Sequence, residues 1–135
     1  MQQILDFLKK NPVGYFATVE GNQPRVRPFG FGLYEDGAFW FCTNNTKSVY
    51  AQLKETPYAE ICFSSEGYAQ NLRISGQVRF SGDREDKAKV MEAMAGVKML
   101  YQTPDNPVFE VFCLEKGRVV LEDFPPKGEP HTVDF

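Results

Sequence analysis

The stretch PRVRPFGFGLYEDGAFWFCTNNTKS, residues 24–48, decides the fold, because it contains two aromatic runs joined by a turn signal. Asp36-Gly37 between the runs is typical of a two-residue β-hairpin turn, so the runs are predicted to form neighbouring antiparallel strands. Successive side chains of a strand point to opposite faces. This alternation places Arg25 and Arg27 on one face together with Phe29, and two cations beside an apolar surface predict an anionic ligand.

The second run passes into a predicted helix over 46–55, with Asn44 or Asn45 as its N-cap. A helix N-terminus offers unpaired N–H groups and a partial positive charge, so it attracts phosphate. Lys47 in the first turn opposes the helix dipole at a cost of roughly 0.3–1 kcal/mol. With Ser48 beside it and two arginines one strand away, a bound phosphate explains this lysine better than a tolerated surface position does.

Composition limits the class of protein. A chain of 135 residues with 42% hydrophobic and 14% aromatic content predicts one globular domain with a packed core. The net charge of -3 argues against general binding to nucleic acids or anionic membranes. The N-terminus lacks the basic region of a signal peptide, and no run is long enough to span a membrane. Three widely separated cysteines, Cys42, Cys62 and Cys113, predict reduced thiols in a cytoplasmic protein, with no disulfide framework and no metal site.

The rest of the chain alternates short strands with a few helices. Strands are predicted at 14–19, at 58–64 and at 71–81, where the alternation is clearest. Asp83 is predicted to cap a helix that runs to about Ala95. Two more strands, over 108–114 and 118–122, are predicted to form a hairpin about Lys116-Gly117, and the Pro-rich tail is predicted to be irregular. Strands at hairpin spacing with flanking helices indicate a small, mainly β barrel.

Several of these motifs carry a resemblance to a known family. They are, in order, Arg25-Val26-Arg27-Pro28, the hairpin, Cys42-Thr43-Asn44, Lys47-Ser48 at a helix start, 53–57 (LKETP) and 72–76 (LRISG). Together they resemble the flavin mononucleotide (FMN) site of the pyridoxamine 5'-phosphate oxidase-like split-barrel proteins. The resemblance implies a mainly β (α+β) fold, a six-stranded antiparallel split β-barrel with flanking helices, over 1–124. It leaves 125–135 as an irregular C-terminal tail.

The resemblance also implies a cofactor and an assembly. It implies a homodimer with flavin at the subunit interface, in which both subunits contribute contacts. The cations and hydroxyls would hold the phosphate and the ring's carbonyl edge, while backbone groups follow the ring. The expected FMN-binding residues are Arg25, Val26, Arg27, Pro28, Cys42, Thr43, Asn44, Lys47, Ser48 and Asn71. No catalytic side chain is expected, because the flavin itself carries hydride and electron chemistry.

Three functions are compatible with the sequence. The preferred one is an FMN-dependent oxidoreductase or electron-transfer protein with a small-molecule substrate or electron donor. The chain departs from the oxidase that names the family it resembles: it lacks the Arg-x-His-type C-terminal segment that holds the substrate there, and it has no tryptophan after Trp40. Vitamin B6 oxidation is therefore not expected. The second is a non-catalytic split barrel that binds flavin, haem or another small ligand. The third is a single-stranded nucleic-acid-binding barrel that stacks bases on Phe29, Phe31 and Trp40, which the negative net charge disfavours.

Overall fold

One antiparallel sheet forms the framework of the protein, for which a computed structural model describes residues 1–135. Its strands are β1 (Val13–Glu20), β2 (Gln23–Gly30), β3 (Leu33–Glu35), β4 (Ala38–Asn44), β5 (Tyr58–Ser64), β6 (Gln70–Ser81), β7 (Phe109–Asp123) and β8 (His131–Asp134). The helices are α1 (Gln2–Lys10), α2 (Ser48–Glu55), α3 (Arg84–Ala93) and α4 (Ala95–Tyr101). The predicted fold class, a mainly β split barrel with flanking helices, is confirmed, but the sheet has eight strands where six were predicted.

The sheet curls without closing. Its strand order is β2-β1-β5-β6-β7-β4-β3, with β8 paired to β7 beside this path. The chain passes directly from one end of this path, β2, to the other end, β3, through Phe31 and Gly32. The N–H of Gly32 donates to the carbonyl of Trp40 in β4 at 3.0 Å. A side chain at Gly32 would approach the same carbonyl to 2.6 Å, so this junction requires glycine. No ladder forms between β2 and β4, and α2 packs against β1 and β4 beside this split.

Aromatic side chains fill the inside of the curled sheet. The rings of Phe41 and Phe112 stack with centroids 5.7 Å apart, and Phe16 stacks on Phe29 at 4.7 Å. A second apolar cluster, which includes Trp40, lies between β4, β7 and the pair α3–α4. Aromatic burial of this kind supplies a large share of the stability of a small domain. Trp40 is buried and therefore has no exposed ring face on which a nucleic-acid base could stack.

The predicted hairpin about Lys116-Gly117 is wrong. β7 continues through both residues as one 15-residue strand. Ser75 pairs with Arg118 and Gln77 pairs with Glu115, so two residues of β7 face one residue of β6. Such a β-bulge bends a strand without ending it. Lys116 has a positive φ of 52°, a backbone conformation that is common in turns. The β6–β7 ladder nevertheless continues on both sides of it.

The C-terminal tail also differs from its prediction. Residues 131–134 form β8, an added strand on β7, where an irregular segment was expected. Arg118 and Asp134 form an ion pair across this ladder, and the ring of Phe135 meets that of Phe39 with centroids 4.8 Å apart. These cross-strand contacts come from distant residues, so the Pro-rich local sequence does not reveal them.

The helices follow the sequence more closely. The Asp83 carboxylate accepts the N–H of Glu85 at 2.9 Å, which confirms the predicted cap of α3. α3 ends at Ala93, however, and a separate short helix, α4, follows at the point where the predicted helix was to stop. None of the helices has both the length and the apolar character needed to cross a bilayer.

Candidate functional site

The arginine strand β2 lies at an edge of the sheet, with β1 as its only partner. Arg27 stands opposite Phe16 and Val26 stands opposite Ala17 in the β1–β2 register. The arginine side chains therefore share the face of the buried Phe16, as the alternation predicted, and Val26 lies on the outer face. One edge of β2 remains free for backbone contacts.

The Arg27 guanidinium points towards α2 and bonds only to neutral oxygens. Its Nη1 donates to Thr18 Oγ1 at 2.7 Å and to the Phe16 carbonyl at 3.3 Å, and its Nη2 donates to Gln52 Oε1 at 2.7 Å. Burial, and to a lesser extent the charge of Arg25, holds the pKa of Arg27 below its usual range. No carboxylate lies within ion-pair distance of it. The site therefore contains a half-buried cation whose charge is not neutralised by the protein.

Arg25 has a different environment. Its Nη2 lies 2.9 Å from Glu20 Oε1 in a pair whose side chains are both about half exposed. The hydrogen bond from Arg25, and then that from Gln52, holds the pKa of Glu20 below its usual range. Exposed pairs of this type contribute little to stability, because water screens them. The two arginines thus share a face, but only Arg27 is available to an anion without breaking an ion pair.

The start of α2 is not capped as predicted. Lys47 occupies the N-cap position, and no side chain caps the helix. The predicted asparagine caps are engaged elsewhere: Asn44 Oδ1 accepts the N–H and the hydroxyl of Thr46 at 2.8 and 2.6 Å, and Asn45 Nδ2 donates to the Pro107 carbonyl. The bonds of Asn44 close the turn that precedes the helix, so the predicted caps lie two or three residues before the observed N-cap. The first turn of α2 contains no acidic residue, and Lys47 forms no ion pair.

Thr43 contributes an unusual buried hydroxyl at the end of β4. The residue is 3% exposed, and Thr43 Oγ1 is the one buried side-chain oxygen or nitrogen in the protein that has no hydrogen-bond partner. Buried polar atoms are almost always paired, and an unpaired one costs about 1–3 kcal/mol. Thr43 lies in β4, four residues before Lys47, so this unpaired hydroxyl is close in sequence to the uncapped start of α2.

Cys42, the residue before Thr43, points to the opposite face of β4. Its Sγ lies 3.9 Å from the Met94 sulfur. Burial raises the pKa of the Cys42 thiol to about 11, although the charge of Lys47 acts in the opposite direction. The thiol is therefore neutral at physiological pH and is not a nucleophile.

Asn71 does not join the other predicted residues within one chain. It lies at the start of β6, and β1 and β5 separate β6 from β2 in the sheet. Its side-chain oxygen accepts a hydrogen bond from the Ser64 hydroxyl at 2.7 Å. The remaining predicted residues occupy β2, the end of β4 and the start of α2. α2 packs against β4, and the Arg27–Gln52 hydrogen bond connects it to β2.

Sequence reasoning missed Thr18 and Gln52, which hold Arg27. Gln52 is 6% exposed and lies between Val49 and Leu53, on the buried side of α2. A glutamine among the core-facing positions of a short helix is the signal that marks it, because a buried amide requires partners. Thr18 in β1 carries no comparable signal, since threonine is an ordinary strand residue.

The outer face of the sheet is unusually apolar next to this site. Val13, Tyr15, Val26 and Tyr58 are each 58–67% exposed, and they lie on the neighbouring strands β1, β2 and β5. We call these four residues the outer patch. A shallow groove of about 800 Å³ crosses the sheet beside it, between Pro24 and Arg118. Contiguous exposed apolar groups of this kind mark interaction surfaces.

Comparisons with known proteins agree with this architecture. A NimC/NimA family protein from Clostridium acetobutylicum is 36% identical and superposes with a TM-score of 0.89, covering 100% of this chain and 92% of the other. A pyridoxamine 5'-phosphate oxidase-related, FMN-binding protein from Nostoc punctiforme is 18% identical, with a TM-score of 0.75 over 99% of this chain and 95% of the other. A haem-binding protein from Mycobacterium smegmatis is 21% identical, with a TM-score of 0.71 over 95% of this chain and 55% of the other.

The last two similarities, below 25% identity, show the shared fold alone. In a sequence comparison with proteins of curated function, no match is found. The family model described as pyridoxamine 5'-phosphate oxidase matches residues 1–121, which is most of the chain. The chain therefore belongs to the pyridoxamine 5'-phosphate oxidase-like family.

Proposed function

We propose that this protein binds FMN at the split of its barrel and is an oxidoreductase that transfers electrons between the flavin and a small molecule. The observation that carries the proposal is the unneutralised Arg27 guanidinium, which neutral oxygens hold beside α2, a helix whose start has no side-chain cap. A half-buried cation without a carboxylate partner favours an anionic ligand, and a helix N-terminus adds N–H donors and a partial positive charge. Membership of a family with FMN-binding neighbours supports flavin as the source of that anion.

The residues at the split fit a phosphate group. Ser48 precedes Gln52 by four residues, so both lie on one side of α2 about one turn, or 5.4 Å, apart. The Arg27 guanidinium bonds to Gln52, in the second turn of the helix that Lys47 and Ser48 begin. Thr43 Oγ1 supplies a further donor that lacks a partner in the protein. We propose that Arg27, Lys47, Ser48 and Thr43 hold the phosphate, with backbone groups of 42–44 beside it.

The free edge of β2 suits the isoalloxazine ring. We propose that the backbone of Val26 and Pro28 follows the ring, because an edge strand offers unpaired carbonyl and N–H groups along its length. Arg25 would reach the ring's carbonyl edge only by leaving Glu20. When bound, the flavin supplies the hydride and electron chemistry, and the chain binds it, orients it and tunes its charge.

A homodimer would complete the site, since one chain leaves Asn71 away from it. We propose that the outer patch packs against a second copy in a C2 dimer with two equivalent sites, each completed by Asn71 of the partner subunit. The exposure of Tyr15 and Val26 beside the candidate ring position supports this arrangement. The cysteines are all free thiols, which supports a reducing, cytoplasmic setting.

Titration of the apoprotein with FMN, riboflavin and haem tests the cofactor. If the phosphate is held as proposed, FMN should bind about tenfold or more tightly than riboflavin, because each tenfold corresponds to 1.4 kcal/mol, within the range of one charge-assisted hydrogen bond. Preferential binding of haem, or of riboflavin, would contradict the cofactor assignment. Turnover of NADH or NADPH with an added electron acceptor then separates an oxidoreductase from a non-catalytic flavin carrier, which would hold FMN without turnover.

A further inference from the structure

Gln52 lies at the centre of a small polar network between α2, β1 and β2. Its Oε1 accepts hydrogen bonds from the Thr18 hydroxyl at 2.6 Å and from Arg27 Nη2 at 2.7 Å. Its Nε2 donates to Glu20 Oε2 at 3.3 Å. One buried amide therefore links α2 to β1 and β2, and both ends of the amide are used.

Because Gln52 has a neutral amide, the only negative charge of this network is the carboxylate of Glu20. The amide stands between Arg27 and Glu20, with its carbonyl towards the cation and its NH₂ group towards the carboxylate. Glu20 pairs with Arg25 at the surface instead. A carboxylate in place of the amide would neutralise Arg27 directly, because a guanidinium and a carboxylate form strong charge-assisted bonds.

We propose that Gln52 is a positioning residue for the cofactor phosphate: its neutral amide holds Arg27 beside α2 and separates it from Glu20, so that the cation stays free for an anion. This inference rests on the proposed FMN function and goes beyond it, since Gln52 itself does not contact the cofactor. It explains why a core-facing helix position carries glutamine, where an apolar residue would satisfy packing alone.

The sharpest test exchanges the amide and the carboxylate in the double variant Glu20→Gln with Gln52→Glu. This variant keeps the net charge and composition of the wild type, and an oxygen remains at position 52 for both Thr18 and Arg27. We expect FMN affinity to fall about tenfold or more, as for the loss of one charge-assisted bond. Riboflavin affinity should not fall, because the backbone contacts of β2 with the ring are untouched and the loss of Glu20 only releases Arg25 towards the ring.

Two single variants serve as controls. Glu20→Gln removes the surface carboxylate without touching Arg27, so FMN should bind at least as tightly as to the wild type. Gln3→Glu adds a negative charge on the exposed face of α1, far along the chain from α2, and should leave the ratio of FMN to riboflavin affinity unchanged. Melting temperatures of the apoproteins, measured together with the affinities, report whether each variant folds.

The possible outcomes separate the two claims. An exchange variant that folds and binds FMN as the wild type does overturns the role of Gln52 and leaves the proposed function standing. A parallel loss of FMN and riboflavin affinity with a lower melting temperature also overturns it, because it indicates a purely structural network. A wild type that binds FMN no better than riboflavin overturns the proposed function, and the role of Gln52 with it.

Discussion

At the scale of single residues, the candidate site is defined by groups that the protein leaves unsatisfied. Arg27 has no carboxylate partner, α2 has no capping side chain, and Thr43 Oγ1 has no hydrogen-bond partner. Each of these costs stability in the free chain, and natural proteins accept such costs mainly at functional sites. One bound phosphate would satisfy all three, which is why they are best explained together.

Thr43→Val tests this trade between stability and binding. Valine has nearly the same shape as threonine and lacks the unpaired hydroxyl, so the free energy of unfolding of the apoprotein should rise by about 1 kcal/mol. FMN affinity should fall about threefold to tenfold, because the phosphate loses one donor. Denaturant melts and FMN titrations measure the two effects. A variant that is both less stable and unchanged in FMN affinity would show that the hydroxyl has an unnoticed structural partner.

Lys47→Ala tests the charge at the start of α2. FMN affinity should fall about tenfold, and riboflavin affinity should change by less than about twofold, since only the phosphate carries charge near the lysine. Lys54→Ala is the matched control, because Lys54 lies in the last turn of the same helix, over the rings of Tyr50 and Phe80. Equal losses of FMN and riboflavin affinity in Lys47→Ala would remove this residue from the phosphate site.

At the scale of elements, the sequence predicted those parts of the fold that local patterns determine. The hairpin at Asp36-Gly37, the alternation in β6 and the cap at Asp83 depend on near neighbours, and the structure confirms them. β7 and β8 depend on cross-strand pairing, which the local sequence does not show. The Lys116-Gly117 pair is typical of a turn but forms a bulge in β7, and the end of the Pro-rich tail pairs with β7 as β8.

The same distinction holds at the candidate site. The sequence indicated Arg27, Lys47 and Ser48, because charged and hydroxyl groups beside a strand and a helix start are readable locally. It could not give the partners of Arg27, because Thr18 and Gln52 come from other elements and meet it only in the folded chain. The asparagine caps were wrong for a related reason, since Asn44 closes a tighter turn that only the backbone geometry reveals.

Gly117→Ala tests the bulge that replaced the predicted hairpin. A Cβ at Gly117 would clash with the backbone carbonyl of Ser75 in β6, and backbone cannot move aside as a side chain can. The variant should be destabilised by about 1–3 kcal/mol, as for other overpacking substitutions. Gly82→Ala is the control, because its Cβ would meet open space. Equal unfolding midpoints for the two variants would contradict the close approach of β6 and β7.

At the scale of the whole molecule, the proposed assembly follows from an apolar face that one chain leaves in water. The outer patch lies on β1, β2 and β5, beside the strand that we expect to follow the flavin ring. A second copy on this face would cover the apolar groups and bring a further set of polar residues to the cofactor. Binding and association are therefore expected to be coupled.

Tyr15→Glu tests this coupling, because it places a charge at the centre of the outer patch. The wild type should scatter light as a particle of twice the mass of one chain, and the variant should dissociate and bind FMN about tenfold more weakly. Tyr68→Glu makes the same change at a residue that is 71% exposed and lies between β5 and β6. A wild-type monomer that binds FMN tightly would refute the shared site.

The central claim, that the split of the barrel holds FMN, is tested most directly by identifying the pigment of the protein purified from cells. The protein should be yellow with a flavin spectrum, and acid treatment should release a compound that is identical to FMN by chromatography and mass. Colourless protein that takes up no added FMN, or protein that releases haem, would contradict the account.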